Sequence, residues 1–197
     1  MTRILLTGAG FSRNWGGWLT NEAFEQLLGS VHIEDHLRQR MWSAKSRGFE
    51  DILADLQSEH QTNPDVQVDH DLWCMRTAIQ SMFTEMAYGY DKVVFDLAQD
   101  TPLKVSTFLE KFDAFYTLNQ DSLIEQKYAG RKFWQRFVGM ECPGIKVVPN
   151  GSIRLNDMTF PVFEPDQTKF ELTPNHQPYI KLHGSLIGSK TRTIAAY

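Results

Sequence analysis

The chain begins with the stretch Arg3-Ile4-Leu5-Leu6-Thr7-Gly8-Ala9-Gly10, in which a short apolar run stops at two glycines. Such a run predicts a buried β-strand that leads into a tight turn. A strand and a glycine turn at the start of a chain are typical of doubly wound α/β folds. We therefore expect a Rossmann-like parallel sheet, in which Gly8 and Gly10 let the backbone turn sharply and let a phosphate approach bare N–H groups.

Two later stretches also read as strands, Ala114-Phe115-Tyr116-Thr117-Leu118 and Tyr179-Ile180-Lys181-Leu182. Between the first two strands, apolar residues recur at helical spacing, and Pro64 separates two such helices. Residues 133–178 are rich in Pro, Gly and Asn, and we expect irregular structure or short strands there. The sequence thus predicts one α/β domain over residues 1–197, with a helical insertion at about 20–100. The apolar helical positions are Phe49, Ile52, Leu53 and Leu56, then Leu72, Met75, Ile79, Met82, Phe83 and Met86.

Polar residues follow each of the three strands. Ser12 comes after the glycine turn, Asn119 and Asp121 after the second strand, and His183 after the third. Because ligands bind outside the carboxyl ends of parallel strands, the three clusters would line one crevice. Asn119 offers donors and an acceptor to a sugar or a water, and Asp121 offers a carboxylate at a helix start. His183 titrates near neutrality and is the natural proton carrier.

Each cluster also has a structural interpretation when it is taken alone. Gly8 and Gly10 fit a plain turn about as well as a nucleotide site, because Arg13 stands where the Rossmann pattern has its third glycine. Asn119 and Asp121 fit a helix cap, and a histidine before a glycine is usually structural. The occurrence of all three clusters at strand ends favours the functional interpretation.

Together the three segments resemble the signatures of the sirtuin superfamily, in the same order along the chain. They are Gly8-Ala9-Gly10-Phe11-Ser12, Thr117-Leu118-Asn119-Gln120-Asp121 and Lys181-Leu182-His183-Gly184-Ser185. The stretch from Gly10 to Leu19 is similar to the bacterial SIR2-like branch rather than the deacylase branch, and members of the former commonly consume NAD in antiphage defence. The resemblance covers most of the chain.

This resemblance implies roles for individual residues. Gly8, Ala9, Gly10 and Ser12 would hold the NAD diphosphate and the nearby ribose. Asn119 would orient the nicotinamide ribose and the attacking water, Asp121 would help to hold the nicotinamide end, and His183 would be the general base. NAD would be the substrate, and the activity would be hydrolysis of the nicotinamide–ribose bond.

The sequence departs from the family pattern in three places. The deacylases carry a four-cysteine zinc module, whereas this chain has two cysteines, Cys74 and Cys142. Their Pro-Asp-Phe-Arg-like segment is replaced here by Arg13-Asn14-Trp15-Gly16-Gly17. Both departures disfavour peptide deacylation and favour simple hydrolysis, and the small number of cysteines predicts no zinc. The family sheet has further strands after the histidine loop, so we expect a truncated domain, or one completed by another chain.

Composition narrows the function classes further. The 197 residues carry 24 acidic and 20 basic side chains, a net charge of −4, which argues against nucleic acid as the main partner. Apolar runs are far shorter than the ~20 residues of a membrane span, and two cysteines fit a reducing cytoplasm. We expect a cytoplasmic NAD hydrolase controlled by self-assembly or by an activating partner. The alternatives are a non-catalytic nucleotide-sensing or interaction domain and, less favoured, an NAD-dependent deacylase.

Two other clusters carry less weight. His32 and His36 are four residues apart, as zinc ligands on a helix can be, but no third ligand is apparent and a solvated helix face is the preferred interpretation. Arg131, Lys132 and Arg136 form a modest basic cluster, for which a solvated or packing role is favoured over nucleic-acid binding.

Overall fold

The structure is a computed structural model of the whole chain, and it describes residues 1–96, 104–129, 134–155, 158–166, 168 and 170–182. Within these ranges the chain forms helices, two sheets and a π-helix, Glu125–Ala129. The helices are α1 (Ala9–Arg13), α2 (Thr20–Leu28), α3 (Asp35–Ser43), α4 (Phe49–Thr62), α5 (Val66–Asp91) and α6 (Val105–Leu109). The strands are β1 (Ile4–Thr7), β2 (Ala114–Thr117), β3 (Gly139–Glu141), β4 (Ile145–Leu155), β5 (Met158–Pro165) and β6 (His176–Lys181).

The main sheet has four strands in the order β1-β2-β6-β3, and every pair is parallel. The three strands expected from the sequence are neighbours in this sheet, so the prediction of a Rossmann-like α/β fold is confirmed. Their apolar residues explain the pairing, because Phe115 of β2 and Tyr179 of β6 are buried and lie with ring centroids 5.6 Å apart. Burial of aromatic rings of this size is a leading contribution to a small core.

Strand β1 differs from its expected burial. Ile4 and Leu6 are each 59% exposed, whereas Thr7 is buried. The reason is that β1 lies at the edge of the described sheet, and alternate residues of a strand point to opposite faces. One face of β1 is therefore apolar and open to solvent in the described structure.

The chain divides into two compact units, and α5 contributes to both. One unit comprises residues 1–17 and 87–197 and contains both sheets. The other, Trp18–Met86, is helical. Its core consists of the apolar stripes expected for α4 and α5, except that Leu53 and Phe83 are only half-buried. Its fully buried side chains include Leu27, Ile33, Leu37, Met41, Ile52, Leu56, Met75 and Ile79.

The region from residue 139 to 165 is more regular than the sequence indicated. Strands β4 and β5 pair in antiparallel fashion over most of their length, with an irregularity between Val147 and Ser152. Strand β3 adds a fourth strand to the main sheet beside β6. The expectation of irregular or short strands is therefore wrong for β4, which has 11 residues.

None of the helices in the described part of the chain is both long and apolar enough to span a membrane.

Candidate functional site

The carboxyl ends of β1, β2 and β6 lie side by side. Thr7 pairs with Thr117, and Thr117 pairs with Lys181, so the three strands end at the same level. The pairing continues one residue further, because Leu118 N donates to Thr7 O and Leu182 N donates to Thr117 O, both at 2.9 Å. The loops that follow the strands therefore start from one edge of the sheet, where ligands of open parallel sheets bind.

Two of the predicted site residues contact each other across this edge. The Asn119 side-chain amide donates to Ser12 Oγ at 2.8 Å, although the residues are 107 positions apart. Both side chains are buried, and the Asn119 backbone N–H donates to Thr117 Oγ1 at 3.0 Å. The first bond holds the Asn119 side chain against α1, and the second fixes the Asn119 backbone at the end of β2.

Three buried polar atoms near this contact have no hydrogen-bond partner among the described residues. They are Asn119 Oδ1, Thr7 Oγ1 and the Tyr90 hydroxyl. Burial, together with the negative charge of Asp121, raises the pKa of Tyr90 far above its usual range, so this hydroxyl keeps its proton and can donate. Because an unsatisfied buried polar group costs about 1–3 kcal/mol, this set of atoms suits a polar ligand.

The glycines after β1 have no side chain to cover the backbone, and their backbone conformations are ones that any residue can adopt. Gly8 is extended (φ −133°, ψ −173°) and Gly10 lies within α1, so the expected sharp turn that only glycine could make is absent at both positions. A Cβ built on either residue meets no atom of another described residue within 4 Å, beyond its chain neighbours and its own helix backbone. Ala9 lies between them as the first residue of α1. The space over this segment is therefore open to a ligand.

Gly17 packs against two residues of the site, Ser12 and Tyr90. Its N–H donates to the Ser12 carbonyl at 3.0 Å. A Cβ at position 17 would lie 2.6 Å from both Ser12 Cβ and the Tyr90 hydroxyl, which is too close for any side chain. Glycine at this position lets Ser12 take the place from which it contacts Asn119.

Asp121 has a clear structural task. Its Oδ1 accepts a hydrogen bond from Leu123 N at 3.0 Å, which caps the turn before the π-helix. The side chain is buried beside the other site residues of this loop. The helix-cap interpretation is therefore satisfied at Asp121, and its second carboxylate oxygen is the atom left for a ligand role.

Lys181 ties the end of β6 to the loop that carries Asp121. Its ammonium group donates to the carbonyl oxygens of Gln120 and Asp121 and forms an ion pair with Glu125 Oε1 at 2.6 Å. The side chain is only 6% exposed. A buried charge is tolerated when it is paired and hydrogen-bonded, as here. The contacts of Lys181 with the two carbonyl oxygens and with Glu125 hold the loop after β2 in a fixed position.

His183, the predicted general base, lies outside the described residues. So do Gly184 and Ser185. The residue before them, Leu182, is held at the sheet edge by its bond to Thr117. The described histidine of this unit, His176, starts β6 and is therefore at the opposite end of the strand.

Tyr90, Gly17 and Lys181 were not among the site residues predicted from the sequence. Lys181 lay inside a quoted motif, and a lysine in a buried parallel strand is itself a signal that a carboxylate must lie nearby. Gly17 lay in the stretch compared with the SIR2-like branch, but nothing there indicated its contact with Ser12. Tyr90 gave no signal, because its importance depends on contacts between distant parts of the chain.

Comparison with known proteins adds no further constraint on the site. No protein-family model matches the chain, and no curated protein matches it. The assignment of a function therefore depends on the geometry described above and on the resemblance of the three motifs.

Proposed function

We propose that this chain hydrolyses NAD⁺ at the bond between nicotinamide and ribose. The observation that supports this proposal best is the contact between Ser12 and Asn119, which joins two of the three motifs and leaves Asn119 Oδ1 buried without a partner among the described residues. An acceptor held in this way suits a ribose hydroxyl or a water molecule.

The remaining motif residues take complementary roles in the proposal. The diphosphate would lie over Gly8, Ala9 and Gly10, and no described side chain beyond those of their chain neighbours lies within 4 Å of the Cβ positions of the two glycines. Ser12 would contact the adjoining ribose, and Asp121 would face the nicotinamide end with its free carboxylate oxygen. The buried carboxylate would also favour positive charge on the ribose as the bond breaks.

The chemistry requires a base but no general acid. The ribose C1′–N bond breaks, and its electron pair goes to the pyridinium nitrogen, so nicotinamide leaves as a neutral molecule. The ribose develops oxocarbenium character, as in other glycosidic cleavages. Water adds to C1′, and its proton goes to His183. The products are ADP-ribose, nicotinamide and one proton.

The direct test is nicotinamide release from NAD⁺ by the purified full chain, with and without an acyl-lysine peptide. We expect release that does not depend on the peptide. Release only in the presence of the peptide, with transfer of the acyl group, would instead establish a deacylase.

A pair of histidine variants tests the proposed base. His183→Ala should lower the rate of nicotinamide release about 10²–10⁴-fold, the usual contribution of a general base. The matched control is His176→Ala, which removes a histidine from the other end of β6 and should retain the wild-type rate. Equal rates in the two variants would remove His183 from the mechanism.

A non-catalytic nucleotide-binding domain is the second candidate. It is favoured by one observation, that Asp121, a predicted site residue, already accepts a hydrogen bond from Leu123 N and so caps the turn that follows β2. For this candidate we expect NAD⁺ to bind in calorimetry and to be recovered intact after long incubation.

Control by assembly belongs to the proposal as well. An NAD hydrolase that depletes the cell, as the antiphage role implied by the resemblance requires, must be silent until it is triggered. A homo-oligomer or an activating partner protein would provide the trigger. Specific activity that rises with protein concentration would support self-assembly.

A further inference from the structure

The helical unit contains a group of metal-binding side chains that the NAD site does not use. Glu34 is the residue before α3, and His70 and Cys74 lie one turn apart on α5. Their ligand atoms, a carboxylate oxygen, an imidazole nitrogen and a thiol sulfur, all lie within 4.8 Å of one another. Among the described residues, no other group of three such side chains converges in this way.

One ring nitrogen in this group faces two partners at once. His70 Nε2 lies 2.8 Å from Glu34 Oε1 and 3.5 Å from Cys74 Sγ. If Nε2 carries the proton it donates to the carboxylate, and the thiol then has no acceptor there. If it lacks the proton it repels the carboxylate. A cation placed between the three atoms satisfies all of them together.

The separations suit a tetrahedral ion. Bonds of ~2.0 Å to nitrogen or oxygen and ~2.3 Å to sulfur place neighbouring ligand atoms of a zinc site about 3.3–3.8 Å apart. The observed gap of 3.5 Å between nitrogen and sulfur lies in that range, the gap of 2.8 Å between nitrogen and oxygen is shorter, and the third gap is no larger than 4.8 Å. Small rotations of the exposed Glu34 side chain can equalise them.

The ligand types select the class of metal. Mg²⁺ and Ca²⁺ prefer sets of oxygen ligands, whereas thiolate and imidazole favour Zn²⁺ and its neighbours in the first transition row. We propose that Glu34, His70 and Cys74 bind a divalent ion of the Zn²⁺ class in the helical unit. This proposal replaces the expectation of no zinc, which considered a four-cysteine module and the pair His32 and His36.

A second layer of side chains holds the proposed ligands. His36 lies between Asp71 and Glu34, with Nε2 at 2.6 Å from Asp71 Oδ1 and Nδ1 at 3.6 Å from the second oxygen of Glu34. Gln67 also donates to Asp71 Oδ1 at 2.9 Å. Metal sites use such partners to orient their ligands, and loss of one typically weakens metal binding 10–100-fold.

The proposed ion would connect the start of α3 to α5 within the helical unit. Three protein ligands leave the fourth tetrahedral position to water, on the exposed side of Glu34. Because an ion that binds only the folded state stabilises it, metal should raise the melting temperature of the protein.

Cobalt(II) is the probe for this site, because a thiolate bound to Co²⁺ gives a charge-transfer absorption. The protein, with all 197 residues, is freed of metal with a chelator, kept reduced with a phosphine and titrated with Co²⁺. We expect saturation at one ion per chain, and loss of the absorption when Zn²⁺ is added. Absence of the thiolate absorption in the wild-type protein would overturn the proposal.

The two cysteines provide a matched pair of variants. Cys74→Ser should abolish the charge-transfer absorption, whereas Cys142→Ser, in the other unit, should retain it. His36→Gln should weaken Co²⁺ binding at least 10-fold and keep the absorption. Glu34→Gln, an exposed and conservative change, should weaken Co²⁺ binding more than His36→Gln does. An absorption that survives Cys74→Ser, or that disappears in Cys142→Ser, would contradict the assignment.

Discussion

Gly8 and Gly10 show whether the segment after β1 is a ligand site or only a structural turn. Gly8 and Gly10 adopt conformations that any residue can adopt, and nothing in the described structure occupies the space above them. Glycine within a helix destabilises it by about 0.5–1 kcal/mol relative to alanine. Gly10 therefore lowers the stability of α1 although its backbone conformation does not require glycine. A diphosphate bound close to the backbone would require it, because any side chain would occupy its space.

Substitution of Gly10 tests this argument. Gly10→Ala should leave the free energy of unfolding unchanged or raise it by up to ~1 kcal/mol, yet weaken NAD⁺ binding because the new methyl group occupies the ligand's space. Denaturant unfolding and calorimetric titration measure the two effects separately.

The chain offers a matched control for this variant in Gly89, an exposed helical glycine of α5 that also has open space around its Cβ position. Gly89→Ala should have the same effect on stability and none on NAD⁺ binding. If both variants bind NAD⁺ like the wild type, the glycine segment plays no part in recognition.

At the scale of elements, one carboxylate aligns β1 with β2. Asp113 precedes β2, accepts a hydrogen bond from Arg3 N at 2.6 Å and donates its own N–H to Arg3 O at 2.7 Å. The Arg136 guanidinium forms an ion pair with the same carboxylate. The backbone N–H of Arg3, with the charge of Arg136, holds the pKa of Asp113 below its usual value.

The lowered pKa gives a signed prediction for acid stability. The interaction stabilises the fold above the unfolded-state pKa of ~3.9 and is lost as the pH falls through the lower value of the folded state. Asp113→Asn should therefore be less stable than the wild type at pH 7, and the difference should shrink below about pH 4. Urea unfolding at a series of pH values measures it.

A control for general charge effects is Glu85→Gln, which removes an exposed carboxylate of α5. The difference in stability between Glu85→Gln and the wild type should not change comparably as the pH falls from 7 to 3. A difference between Asp113→Asn and the wild type that stays constant from pH 7 to pH 3 would show that the charge of Asp113 is not what aligns the strands.

Local sequence patterns predicted the elements that are buried or strongly periodic. Strands β1, β2 and β6 lie within one to three residues of their expected ends, because each is a short apolar run bounded by turn residues. The hairpin of β4 and β5 was not predicted. Its strands contain Pro161 and Gly151, which oppose a regular strand locally, and only their pairing with each other makes them strands.

At the scale of the whole molecule, the order of the parallel strands places the motifs that follow them next to one another. The motifs at Gly8–Ser12 and Asn119–Asp121 were predictable as neighbours, since both follow parallel strands. The sequence could not reveal that Ser12 and Asn119 share a hydrogen bond, that Lys181 positions the loop after β2, or that Glu34 approaches Cys74. Each of these contacts joins residues far apart in the chain, so no local pattern records it.

The proposed hydrolysis depends on Asn119, the residue that links two motifs and whose Oδ1 has no hydrogen-bond partner among the described residues. The most direct measurement is nicotinamide release from NAD⁺ by the wild-type chain and by Asn119→Ala, with circular dichroism to show that both are folded. We predict release by the wild type and a loss of at least 100-fold in the folded variant, about 2.7 kcal/mol of transition-state stabilisation. Equal rates of release by the two folded proteins would contradict the account.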